Sequence, residues 1–78
     1  MLETTLYTRR GCHLCDNACE VLRRHGLEPR EVDIDADDRL RAQYDTCVPV
    51  VWIAGKERFR GRVDEVLLRR LLAHENSR

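Results

Sequence analysis

The chain has 78 residues, about half of the roughly 150 usual for one domain, which leaves room for a single domain over residues 1–78 and no second core. Hydrophobic residues (42%) are interleaved with charged ones (36%) and there are no low-complexity tracts, which argues against a disordered chain. Fourteen basic residues balance fourteen acidic ones, so the total charge implies neither a nucleic-acid grip nor a polybasic membrane patch, although Glu28–Asp45 is acid-rich and Lys56–Arg62 base-rich.

Met1-Leu2-Glu3-Thr4-Thr5-Leu6-Tyr7 lacks the basic and then apolar regions of a secretory signal. The longest apolar run, Val48 to Ala54, is too short to span a membrane. A cytoplasmic protein is therefore expected, in a compartment where structural disulfides are rare. A core of this size supplies about 3–5 kcal/mol. The four cysteines are thus read as chemical residues and not as staples.

Leu2, Thr4 and Leu6 alternate with Glu3, Thr5 and Tyr7, predicting a first strand over 2–7 before Gly11 breaks the run. Leu14, Ala18, Val21 and Leu22 recur at helical spacing, with Arg23 and Arg24 in the last turn and Gly26 as a left-handed stop, so a helix is expected over 13–25. Val32 and Ile34 alternate with Asp33 and Asp35 after Pro29, predicting a strand over 30–34. Leu40 and Tyr44 form a thin apolar stripe on a short helix over 37–45, capped by Asp35 or Asp37. Val48–Ile53 is strand-like and turns at Ala54-Gly55-Lys56 into a return strand over 57–60, ended by Gly61. Val63, Val66, Leu67, Leu71 and Leu72 predict a last helix over 63–74, with Asp64 and Glu65 near its start and Arg69 and Arg70 later. The order is βαβαββα. A helical crossover makes the first two strands parallel and a tight hairpin makes the last two antiparallel, giving a four-stranded mixed sheet in an α/β fold flanked by helices.

Cys12-His13-Leu14-Cys15 falls where the first strand hands over to the first helix, the context in which this spacing reads as a redox pair. At a helix N-terminus the unsatisfied N–H groups and the positive end of the dipole favour a thiolate on Cys12, and Arg9, Arg10 and His13, if they point that way, push in the same direction. Cys15, one turn inside, is placed to resolve a mixed disulfide. Without that context the same pair is two small buried residues or half of a zinc site. Val48-Pro49-Val50 is the second motif, since a proline entering a strand marks a special backbone at its start.

Together, Tyr7-Thr8-Arg9-Arg10-Gly11-Cys12-His13-Leu14-Cys15, Val48-Pro49 and Arg60-Gly61-Arg62-Val63-Asp64 resemble a small glutaredoxin over essentially the whole chain. The resemblance implies a minimal thioredoxin fold with Cys12 as nucleophile, Cys15 as resolving thiol, and a cis Pro49 that holds the Val48 backbone ready to pair with an extended substrate. It places Gly61 in the substrate groove and sets Arg9 against the carboxylate of glutathione. Four positions differ from the family pattern. Cys47 stands where threonine usually precedes Val-Pro, Arg60 replaces the first glycine of a Gly-Gly pair, and Val63 falls where an acidic residue often holds the glutathione amino group. His13 replaces the usual proline after the nucleophile, and an imidazolium there favours the reduced form. The chain also resembles redoxins that draw electrons from thioredoxin reductase, and uncharacterised bacterial glutaredoxin-like proteins carrying Cys-His-Leu-Cys followed by Asp.

Cys47, beside the proline segment, is either an additional thiol for an alternative disulfide or metal contact, or a small hydrophobe. Cys19, four after Cys15, reads as core. His25 and His74 lie near helix ends, Trp52 reads as core or sheet surface, and Arg58, Arg60 and Arg62 alternate along one strand face, where they meet an anionic partner or form a solvated edge.

The expected function is a cytoplasmic thiol–disulfide oxidoreductase that reduces protein or glutathione mixed disulfides. It binds no resident cofactor or metal, uses glutathione as cosubstrate or a reductase as electron source, and acts as a monomer without nucleic-acid or membrane partners. A redoxin-type electron donor, a metal or iron–sulfur carrier using the surplus thiols, and a non-enzymatic thioredoxin-fold interaction module are the alternatives.

Overall fold

Every predicted element is present in the predicted order in the computed structural model, which describes residues 2–76. Strand β1 (Thr4–Thr8) leads to helix α1 (His13–Arg24), followed by β2 (Arg30–Asp33), α2 (Asp38–Tyr44), β3 (Val50–Ile53), β4 (Lys56–Arg60) and α3 (Glu65–Asn76). The sheet order is β2-β1-β3-β4, with β1 parallel to β2 and β3 antiparallel to both β1 and β4.

Alternation along the strands sorts side chains between two cores. Leu6, Val51, Ile53 and Phe59 pack with Ala18, Cys19 and Leu22 of α1 and Leu68 of α3. On the opposite side Val50 packs with Ile34 and Tyr44, with Tyr7, Leu40, Cys47, Val48 and Trp52 around them. Helices α1 and α3 therefore cover one face and α2 covers part of the other. Adjacent Val50 and Val51 are both fully buried, one in each core, which is why this segment reads as the most apolar of the chain.

The element ends differ from the predicted ones for local reasons. β2 stops at Asp33, whose carboxylate accepts the Asp35 N–H at 2.9 Å and turns Ile34–Ala36 into a 3-10 turn. Asp37 caps α2 by accepting the Arg39 and Leu40 N–H groups. β3 starts at Val50 instead of Val48 because Pro49 has no N–H to give a ladder. α3 starts at Glu65 instead of 63 because Asp64 is its cap, accepting from Val66 N–H at 3.0 Å and Leu67 N–H at 3.2 Å. That leaves Val63 in the loop. The last helix also runs past 74, so His74 is the base in its final turn while Arg69 and Arg70 sit mid-helix. His25 caps the end of α1, and its ring nitrogen meets Glu65 at 2.8 Å, tying α1 to α3.

The β3–β4 hairpin turns through Ala54 and Gly55, both at positive φ (54° and 80°), the geometry of a two-residue loop that follows the strand twist. A register shift lies just beyond it. Val51 faces Phe59 and Trp52 faces Glu57, so Arg58 is the extra residue of a bulge. The expectation of one basic strand face fails for this reason: Arg58 is half-buried in the bulge, Arg60 pairs with Glu57, and Arg62 lies beyond the strand.

Candidate functional site

The chain leaves β1 at Thr8 and turns before α1 begins at His13. Gly11, at φ 78°, takes the left-handed conformation that this turn needs, and the Cys12 N–H closes it on the Arg9 carbonyl at 3.3 Å. Cys12 is the N-cap of α1, with extended backbone (φ −93°, ψ 106°), and its Sγ accepts the Cys15 N–H at 3.1 Å. A thiol thus fills the position that Ser or Asp usually takes, pointing at the free N–H groups of the first turn. A thiolate there receives a charge-assisted hydrogen bond and the positive end of the helix dipole.

The two thiols are unequal. Cys12 is partly exposed, whereas Cys15 is only 1% exposed in the first turn behind it. Burial pushes the Cys15 thiol up and its hydrogen bond with Cys12 pushes it further, while the Thr8 side chain and the Arg9 backbone pull it back. All four cysteines are free thiols in the structure. One sulfur is thus accessible at the helix N-terminus and the other lies hidden behind it.

This asymmetry has a pH consequence. Because the attacking species is the thiolate, and the Cys15 thiol is raised above the ordinary thiol range, the protonated form dominates at neutral pH. If Cys15 resolves a Cys12 mixed disulfide, that step is expected to accelerate about tenfold per pH unit below the Cys15 pKa. Quenched-flow mass spectrometry of the adduct between pH 6 and about pH 9 measures it; a flat profile would show that Cys15 is not the resolving thiol.

The Val48–Pro49 peptide bond is cis, and the buried Pro49 accepts the Gly61 N–H on its carbonyl at 2.8 Å. Val50 pairs with Tyr7 on one side and Arg60 on the other, so the end of β1, the start of β3 and the end of β4 meet at one edge. The dithiol, Val48-Pro49 and Gly61 all sit at that edge. Gly61 has φ 87°, and space around it is open, so backbone conformation and not close packing calls for glycine. His13 is exposed at the first position of α1.

Arg9, which the resemblance sets against a glutathione carboxylate, has partners within the chain. Its guanidinium is already engaged: Nε donates to Asp35 Oδ2 at 3.0 Å, and Nη2 donates to Asp35 Oδ1 at 3.1 Å and to Asp45 Oδ1 at 3.2 Å. Asp35 first, and Asp45 after it, hold Arg9 above its ordinary value. In the sequence Asp35 reads only as a possible helix cap and Asp45 as part of an acidic stretch; the 3-10 turns flanking α2 bring both to the β1–α1 loop.

Arg60, in place of a glycine, is bound as well. It donates to Glu57 at 2.7 and 3.2 Å, lies 5.6 Å over the Tyr44 ring, and is raised by Glu57 and then by Cys47. Tyr44 in turn packs on Tyr7 with ring centroids 4.9 Å apart. Cys47 is half-buried against the second core beside that guanidinium. Cys19 is a core residue of α1, its thiol pushed up chiefly by burial. Trp52 is half-buried at the second core. Among the described residues no three His, Cys, Asp or Glu side chains converge as a metal site, and no helix is long and apolar enough to cross a membrane.

A family model for the glutaredoxin-like domain (DUF836) matches residues 3–73. The chain is similar in structure to target protein XcR50 from X. campestris, with TM-score 0.78 and 37% identity over 91% of this chain and 96% of that one. It is similar also to protein Ne2328 from Nitrosomonas europaea, with TM-score 0.77 and 26% identity over 90% and 89%. NrdH-redoxin from Escherichia coli, a glutaredoxin-like protein with a thioredoxin-like activity profile, aligns with TM-score 0.65 and 26% identity over 88% and 93%. No curated protein sequence matches the chain.

Proposed function

The chain belongs to the glutaredoxin-like family of the thioredoxin superfamily, a fold of thiol redox proteins, and from that premise we propose that it is a dithiol thiol–disulfide oxidoreductase. The observation that carries the reading is the unequal pair at the α1 N-terminus, a half-exposed Cys12 whose Sγ accepts the Cys15 N–H and a Cys15 buried behind it. In the proposed reaction the Cys12 thiolate attacks a disulfide RSSR′, forming Cys12–S–S–R and releasing R′S⁻, which takes up a proton. The Cys15 thiol loses its proton and attacks the Cys12 sulfur, releasing RS⁻ and leaving a Cys12–Cys15 disulfide. The substrate gains two electrons and the dithiol loses two. Two glutathione thiols or a dithiol reductase then return them.

The state of Arg9 favours one electron source. A glutathione carboxylate at Arg9 would compete with Asp35 and Asp45, which already engage its Nε and Nη2 and offset its charge. The redoxin mode, with electrons from a thioredoxin-reductase type of enzyme, involves no such competition. We therefore expect NADPH-dependent reduction of dithiodiethanol to be faster with thioredoxin reductase than with glutathione and glutathione reductase, measured at 340 nm. The reverse order would overturn the electron source. Absence of reduction in both arms, with Cys12 free to alkylation, would overturn the function.

A further inference from the structure

The edge that carries Cys12 also carries an apolar groove that thiol exchange by itself does not require. Leu14, Ala18 and Val21 lie on one face of α1 and, with Asn17, oppose Gly61, Arg62 and Val63 across a space of about 360 Å³. Leu14 sits between the two active-site cysteines and is 54% exposed. Val66 and Leu67 in the first turn of α3, immediately after the groove loop, are half-exposed too, and these are the three large exposed hydrophobics among the described residues. Of the three, Leu14 lines the groove, and with the half-buried Val21 and Val63 it places apolar surface beside the dithiol, which marks an interaction site more than scattered exposure does.

Charge defines the occupant further. Arg62 is the single charged residue lining the groove, and it is solvent-exposed and has no salt bridge among the described residues, whereas Arg9 and Arg60 on the same edge are neutralised internally. The lining holds no carboxylate, because Val63 occupies the loop position just before the capping Asp64. An ammonium group therefore has no partner there. A glutathione moiety, with an ammonium, two carboxylates and no large apolar group, suits this lining less than a peptide does.

We propose that the groove holds a segment of a disulfide-bearing protein partner, with a large apolar side chain against Leu14, Val21 and Val63 and a neighbouring carboxylate on Arg62. The assignment rests on the exchange function above and names its substrate class. The bonds made and broken are those already described, and the groove selects which disulfide is delivered to Cys12.

The test uses the pre-reduced full chain in single-turnover reactions with symmetrical disulfides of short peptides in which cysteine is flanked by Phe-Glu, Phe-Lys or Gly-Gly, and with dithiodiethanol. Released thiol is measured by acid quench and chromatography. The Phe-Glu peptide is expected to react roughly tenfold faster than either of the other two peptides, the discrimination of a modest apolar pocket. Arg62→Glu, a change at an exposed loop position, is expected to reverse the Glu-over-Lys preference. Equal rates for the three peptides, or a preference unchanged in Arg62→Glu, would overturn the groove assignment while reaction with dithiodiethanol left the exchange function standing. Failure of every disulfide to oxidise Cys12 and Cys15 would overturn both.

Discussion

Replacing Cys12 with serine is expected to lower disulfide turnover by roughly a thousandfold or more, the scale on which removal of an attacking group from a catalytic unit acts. Serine preserves the cap, because its oxygen also accepts the Cys15 N–H, so the fold and the dipole remain while the nucleophile is lost. Cys15→Ser is expected to behave differently. The first exchange proceeds, the buried position no longer supplies a thiolate, and a mixed disulfide persists on Cys12 until an external thiol removes it. Intact-mass and peptide mass spectrometry after reaction with a peptide disulfide separates the two variants. An adduct on Cys47 in the Cys15→Ser protein would show that the thiol near Arg60 starts the reaction, and the assignment made to the α1 N-terminus would fall. An adduct on Cys19 is not expected, since burial raises that thiol within the core.

The placement of Cys12 and Cys15 at the start of α1 was legible in the sequence, and the network around them was not. The spacing Cys12 to Cys15, placed after a period-2 run and before a period-3.6 run, carries its own local geometry: the strand ends, Gly11 turns the chain, and the next residue becomes a helix cap. Such information is contained within a dozen consecutive residues. Arg9 meeting Asp35 and Asp45 spans 26 and 36 positions, and depends on two 3-10 turns whose apolar pattern is too short to read. The same limit explains the basic strand. Alternation of Arg58, Arg60 and Arg62 is a period-2 signal, and a one-residue bulge at Arg58 removes its meaning without leaving a mark in composition. Val63 shows the reverse case, since Asp64 as cap was available in the sequence next to Glu65, and placing the helix start after it would have left Val63 in the groove loop.

Leu22→Ala is the second large effect expected, and it bears on what holds the reaction centre in place. Leu22 is fully buried on α1 among Leu6, Val51, Ile53 and Leu68, so truncation removes packing between the helix and both the sheet and α3. Such substitutions cost about 2–5 kcal/mol. A chain of 78 residues has about 4–12 kcal/mol in total at the usual stability per residue. The loss is therefore a large share, read as a fall in the urea midpoint at unchanged slope. Oxidation is not expected to offset it. A Cys12–Cys15 disulfide closes only four residues and supplies about 2 kcal/mol on the chain-entropy account, acting on both wild type and variant. The difference between them is thus expected to be equal in the reduced and oxidised forms. Cys12 lies ten residues from Leu22, about 15 Å along the helix, so alkylation of Cys12 in the folded fraction is expected to proceed at the wild-type rate. A variant that kept its urea midpoint but lost Cys12 reactivity would mean that Leu22 sets the geometry of the cap directly. A midpoint restored by oxidation would mean that the dithiol, when closed, staples α1 more strongly than its short loop allows.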